Sequence, residues 1–188
     1  MEKPFLMLVE DVFSPRRQGR LVMPTGRIER GRIRKGDVVE LVGFGGDVLA
    51  HVTDIDVSRL RVNEASAGMN VGLLLPGAMA GAVERGQILA EPGSIGAHVA
   101  FAADITLLPE EQGGTDVLTG ESLDFYIRAA TVRGVVTLPR ETDALRPLHM
   151  GAVTVTLERP VALEDGQSIA FRLHGRAVGS GTVTQLLH

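Results

Sequence analysis

Twenty-three glycines and nine prolines cut this 188-residue chain into short runs of β-branched and aliphatic residues, and no segment keeps a 3.6-residue apolar period for three turns. Such a pattern restricts the chain to antiparallel β architectures. The runs predict strands at Phe5–Phe13, Arg20–Met23, Val38–Val42, Leu49–Val57, Asn70–Leu75 and Gln87–Ala90, then at His98–Leu107, Asp124–Leu138, Val153–Glu158, Ser168–Leu173 and Thr182–Leu187. Val153, Val155 and Leu157 alternate with Thr154, Thr156 and Glu158, the period-2 pattern of a sheet with one buried face. A single helical turn is expected at Asn63–Ala67, ended by Gly68. The stretch "LAEPGSIGAH", Leu89 to His98, separates two strand sets of similar length. It places a boundary between residues 1–92 and 93–188, two β-barrels of about 90 residues, a size that just builds its own core.

Charge divides along the chain. Between Arg16 and Lys35 there are seven arginines and one lysine against the single acid Glu29, whereas Gly86 to Ile127 holds no lysine or arginine and seven acids. A polyanion would have to use the first half. The net charge of -4 disfavours general polyanion affinity. No cysteine is present, which excludes disulfides, cysteine-ligated zinc and a thiol nucleophile and is the usage expected of a reducing cytoplasm. Phe5 to Val9 is too short for a signal peptide, and no run approaches the roughly 18 apolar residues of a membrane helix. The expected location is cytoplasmic, with no membrane partner.

Little in the sequence points to catalysis. A phosphate loop of the form GxxxxGK[ST] needs a lysine after a glycine turn that opens a helix, but the lysines are Lys3 and Lys35, and "GRIERGRIRKGD" leads into a strand. Its glycines are expected to be turn glycines between twisted strands. His51, His98, His149, His174 and His188 show no compact ligand spacing, so no metal is expected. Ser180 lacks the GxSxG elbow, and no carboxylate pair is marked out, so a hydrolase is the weakest class and no cofactor is implied.

Five stretches nevertheless carry a family likeness: "KPFLMLVEDVFS" (Lys3–Ser14), "TGRIERGRIRKGDVVELVG" (Thr25–Gly43), "AGMNVGLLL" (Ala67–Leu75), "VERGQILAEPGSI" (Val83–Ile95) and "GRAVGSGTVTQLL" (Gly175–Leu187). In order and content they resemble elongation factor Tu, the GTPase that carries aminoacyl-tRNA, over its second and third domains only. The resemblance implies an all-β chain of two packed antiparallel barrels. The family's GTP-binding domain would precede Met1, so the expectation is a diverged, stand-alone paralogue that binds no GTP and is not an enzyme.

In that family the second domain pockets the aminoacylated 3′ end of tRNA. The resemblance carries this role to Glu10, Asp11, Phe13, Thr25, Arg59 and Asn70. An aromatic ring stacks on adenine, while carboxylate, amide and guanidinium groups read a ribose, an ester and an α-amino group. Each residue also has a plain reading: Phe13 as barrel core, Glu10, Asp11 and Thr25 as polar strand ends, Arg59 in a surface ion pair, Asn70 in a turn.

The departures are specific. "PRRQGRLVMP" is two residues longer than the family's segment, and Ser58 stands where the family has an aromatic residue. In the third domain, "TDVLTGESLDFYIR" replaces a basic, aromatic loop, and its Asp116, Glu121 and Asp124 would repel phosphates. Two functions follow as expectations: a binding module for the aminoacyl-tRNA 3′ end, or a protein-interaction module that docks a translation GTPase or exchange factor in trans with RNA binding lost.

Overall fold

The computed structural model describes residues 2–14, 21–45 and 47–187. The chain divides into two compact units, Met1–Gly96 and Ala97–His188. The first contains β1 (Leu6–Leu8), β2 (Asp11–Phe13), β3 (Leu21–Arg30), β4 (Arg32–Arg34), β5 (Val38–Val42), β6 (Val48–His51), β7 (Asp54–Val57), β8 (Leu60–Val62), β9 (Glu64–Ser66), β10 (Asn70–Pro76) and β11 (Ile88–Ala90). The second is built on β12 (Gly96–Leu107), β13 (Val117–Leu118), β14 (Ser122–Ile127), β15 (Ala130–Thr137), β16 (Ala144–Leu145), β17 (Met150–Leu163), β18 (Ser168–Leu173) and β19 (Arg176–Leu187). The helical turns Gly77–Met79 and Glu110–Gln112 are three residues each, and among the described residues no helix is long and apolar enough to cross a membrane.

The first unit is a curled half-barrel in the order β6-β5-β11-β1-β3-β10-β7-β8, with β2 also on β3 and a separate β4–β9 ribbon. Its core gathers Met7, Ile28, Leu41, Ile55 and Leu73, all fully buried. The expected single strand Phe5–Phe13 is two. The chain bends at Val9 and Glu10, where Val9 N–H donates to Gln87 O at 3.0 Å and Glu10 N–H donates to Thr25 O at 2.9 Å. The strand thus leaves β11 and continues on β3. The helical turn expected at Asn63–Ala67 is instead β9, whose Ala65 is buried and which pairs with β4. Lys35 N–H to Asn63 O and Ala67 N–H to Gly31 O hold both of its ends, so long-range pairing overrides local propensity.

Gln87 is buried and bridges two turns: its Oε1 accepts from Glu84 N–H at 2.6 Å and its Nε2 donates to Gly43 O at 3.0 Å. Gln87→Leu strands both backbone groups and is expected to cost about 1–3 kcal/mol. Urea unfolding should show this as a lower midpoint at constant m.

The second unit is a closed barrel, β12-β17-β15-β14-β18-β19. Burial alternates strictly along β15, and Val153, Val155 and Leu157 of β17 point inward as their spacing predicts. The barrel interior is aromatic. Phe101 meets Phe125 edge-on at 6.4 Å between centroids, and Phe125 meets Phe171 at 5.8 Å, tilted by 47°. The expected strand Asp124–Leu138 is the hairpin β14–β15, turned at Arg128, which has φ +53°.

Candidate functional site

An open cleft of about 270 Å³ lies on the first unit. Glu10 reaches it from the β1–β2 bend, Thr25 and Gly26 from β3, Asp56 from β7, Ser58 from the β7–β8 turn, and Asn70, Val71 and Gly72 from β10. Its floor follows from strand register. Asp11 lies opposite Thr25, Thr25 opposite Gly72, Gly72 opposite Asp56, and Asp56 opposite Arg61. Directly paired residues project to the same face, so these five positions form one row across β2, β3, β10, β7 and β8. Gly72, without a side chain, interrupts the row at its centre, and the Met23 side chain lies over it.

Backbone proximity explains the glycines. A Cβ on Gly26 would lie 1.8 Å from Leu8 O, so β1 and β3 can approach only over a glycine. Gly26 is therefore a close-approach glycine, unlike the turn glycines Gly31, Gly36 and Gly43, whose φ values are positive. A Cβ on Gly72 would lie 2.7 Å from the sulfur of Met23, whose thioether occupies that space.

Asp56 organises the cleft's edge. Its Oδ1 accepts from Arg59 N–H at 3.1 Å and its Oδ2 accepts from the Arg61 guanidinium at 2.9 Å; Arg61 Nε also stands 3.8 Å from Asp54. The turn it holds has Ser58 at φ +51° and Arg59 at φ +68°, the two left-handed positions of a tight hairpin turn normally given to Asn and Gly. The strain sits at the cleft's rim.

Of the six residues the resemblance singles out, Glu10, Thr25 and Asn70 line the cleft. Asp11 neighbours it as Thr25's cross-strand partner, with its side chain exposed. Phe13, opposite Met23, is 53% exposed and so is not a core residue. Arg59 sits in the adjacent turn, where its N–H is capped by Asp56, and does not line the cleft, and Asn70 opens β10 opposite Arg27 instead of serving in a turn. Sequence reasoning missed Asp56 and Gly72. The signal for Asp56 was available: an Asp three residues before Arg59 suits a side-chain-capped turn. Gly72 had no comparable local mark.

The basic stretch is partly neutralised. Arg32 reaches Glu64 at 2.7 Å and Glu2 at 3.5 Å, and Arg34 lies 3.8 Å from Glu64. Glu64's hydrogen bond, then its charge and that of Glu2, raise the Arg32 pKa further. Arg16, Arg17 and Arg20, with most of the lengthened "PRRQGRLVMP" segment, lie outside the described residues. Among the described residues no cluster of three His, Asp or Glu side chains is placed to hold a metal ion.

Residues 22–90 match the family model described as Elongation factor Tu domain 2, and residues 94–187 match the one described as Elongation factor Tu C-terminal domain. Thr25, Arg59 and Asn70 fall within the first match; Glu10, Asp11 and Phe13 precede it. With both units matched, the chain belongs to the elongation factor Tu family, through that family's second and C-terminal domains.

Proposed function

We propose that the first unit binds the aminoacylated 3′ end of tRNA, or a smaller adenosine or aminoacyl ligand, without catalysis. The supporting observation is that Glu10, Thr25 and Asn70, far apart in sequence, line one cleft beside the Asp56–Arg59 turn. The cleft's volume suits a single nucleoside or aminoacyl group. The Glu10 carboxylate favours a ligand end that is cationic and rich in hydroxyls, as an aminoacyl ester is, while the Asp56 carboxylate is already paired with Arg61. Arg59 does not line the cleft, and from the adjacent turn its guanidinium is assigned to the ester carbonyl of a ligand that extends past the rim.

GTP hydrolysis is not expected of these residues, because neither matched domain is a GTP-binding one and no phosphate loop occurs in the sequence. The two matched domains make the chain a translation-factor-like module.

Binding of labelled aminoacyl-tRNA is expected to exceed that of deacylated tRNA, with the preference reduced roughly tenfold in Arg59→Ala, as the loss of a charge-assisted hydrogen bond implies. Equal, weak binding of both forms, unchanged by Arg59→Ala, would reject the reading. It would favour docking of a translation GTPase or exchange factor, which the cation-free stretch from Gly86 to Ile127 supports. Salt titration separates the two, since RNA contacts weaken steeply with salt.

A further inference from the structure

We propose that the second unit docks a segment of another protein in which arginine or lysine alternates with apolar side chains, and that it does so in the cleft beside Glu110. The inference goes beyond aminoacyl-end binding, concerns a different unit and can fail without affecting that reading.

The cleft, about 510 Å³, combines two features. Glu110, Glu111 and Asp116 supply three carboxylates, against the one guanidinium of Arg146. Leu148, which lines the cleft, is 69% exposed; nearby in the chain are Met150, one residue beyond the lining His149 and 73% exposed, and Leu118 of β13, two residues beyond the lining Asp116 and 51% exposed. Val99 and Val135, the unit's other exposed large apolar residues, reach only 42% and 38%. Strong apolar exposure on the segments that supply the cleft's lining points to an interaction surface, where scattered single residues would not.

The rim is held firmly. Leu148 N–H donates to Leu107 O and Leu107 N–H donates to His149 O, both at 3.2 Å, while His149 N–H donates to Arg146 O at 3.1 Å. Leu148 itself has φ +67°, a conformation better suited to glycine. Glu110 also borders a second hollow of about 460 Å³ with Gly113, Gly114 and Leu173, so the acidic turn is a ridge between two depressions.

Charge complementarity selects the occupant. The carboxylates repel phosphates and exclude the counterion release on which nucleic-acid binding depends. They attract ammonium or guanidinium groups, and Leu148 and Met150 offer apolar contact to the side chains between those cations. An extended segment alternating the two types meets both.

The test is an NMR titration of the isotopically labelled protein with the synthetic peptide acetyl-Leu-Arg-Leu-Lys-Leu-Arg-amide, alongside acetyl-tetralysine-amide and a short RNA oligonucleotide. Saturable shifts confined to residues 107–118 and 144–151 are expected for the first peptide, with tetralysine roughly tenfold weaker. Glu110→Gln combined with Asp116→Asn should weaken binding about tenfold. Leu148→Gly should weaken it by a similar factor while raising the thermal midpoint, because it removes the contact and relieves the backbone. That opposition separates docking from folding. The proposal is overturned by shifts scattered over the surface, by equal binding of tetralysine, or by affinity unchanged in Leu148→Gly. It is equally overturned if the RNA moves the same resonances, or if they move on dilution without peptide, which would make a second copy the occupant.

Discussion

Gly26→Ala is expected to destabilise the first unit by about 3 kcal/mol or more, enough to remove most of the stability of a small domain. The added Cβ would sit 1.8 Å from Leu8 O and 2.9 Å from Leu8 C, both backbone atoms. No side-chain rotation can relieve such a contact. β1 would have to leave β3, and with it the bend that brings Glu10 to the cleft and Glu10 N–H to Thr25 O. Gly36→Ala is the control. Its Cβ meets nothing within 4 Å, but φ is +92°, so only the left-handed penalty of roughly 1–2 kcal/mol applies. Urea unfolding of the two variants should separate by their midpoints; equal small losses would mean that the β1–β3 approach is not tight in solution.

These two glycines show which parts of the molecule the sequence discloses. Gly36 announces itself locally, in a Lys-Gly-Asp turn between two apolar runs. Gly26 looks the same in sequence, yet its requirement is set by Leu8, eighteen positions earlier, and no local rule contains it. The same division holds for the strands. Alternation in Val153–Glu158 fixes both strand and face, because each residue carries its own evidence of burial. The β4–β9 ribbon escaped detection because three-residue strands carry no period, and a lone Ala65 between Glu64 and Ser66 favours no state until β4 lies beside it. The hairpin β14–β15 escaped for another reason: its turn uses Arg128 at positive φ and lacks the Gly or Asn that usually marks such a turn.

The cleft follows the same logic. Glu10, Thr25 and Asn70 could be named from the family resemblance, and the structure places them on one cleft. Which side chains lie beside them depends on register across five strands, and a shift of one residue would turn each to the opposite face. Gly72 was thus recoverable only once the pairing was known, and the sequence marks Asp56 as a turn-capping residue without placing it in the cleft.

Gly72→Val is expected to leave folding nearly intact while lowering affinity for an aminoacyl or adenosine ligand about a hundredfold. The two effects separate because of what the new side chain meets. Its Cβ contacts the Met23 Sδ at 2.7 Å and Cγ at 2.9 Å, the outer part of a flexible, half-buried side chain that can rotate away. Valine is also well suited to a strand interior, so the stability change should stay within about 1 kcal/mol. The ligand has no such freedom. Gly72 lies between Thr25 and Asp56 in the row that makes the floor, and a branched side chain there displaces the Met23 thioether from over the glycine into the space between the two polar walls. A loss of about 2.7 kcal/mol in binding corresponds to that hundredfold change. Parallel measurement of the unfolding midpoint and of charged-tRNA affinity decides the matter: unchanged stability with unchanged affinity would mean that the ligand does not use this floor, whatever Arg59 contributes at the rim.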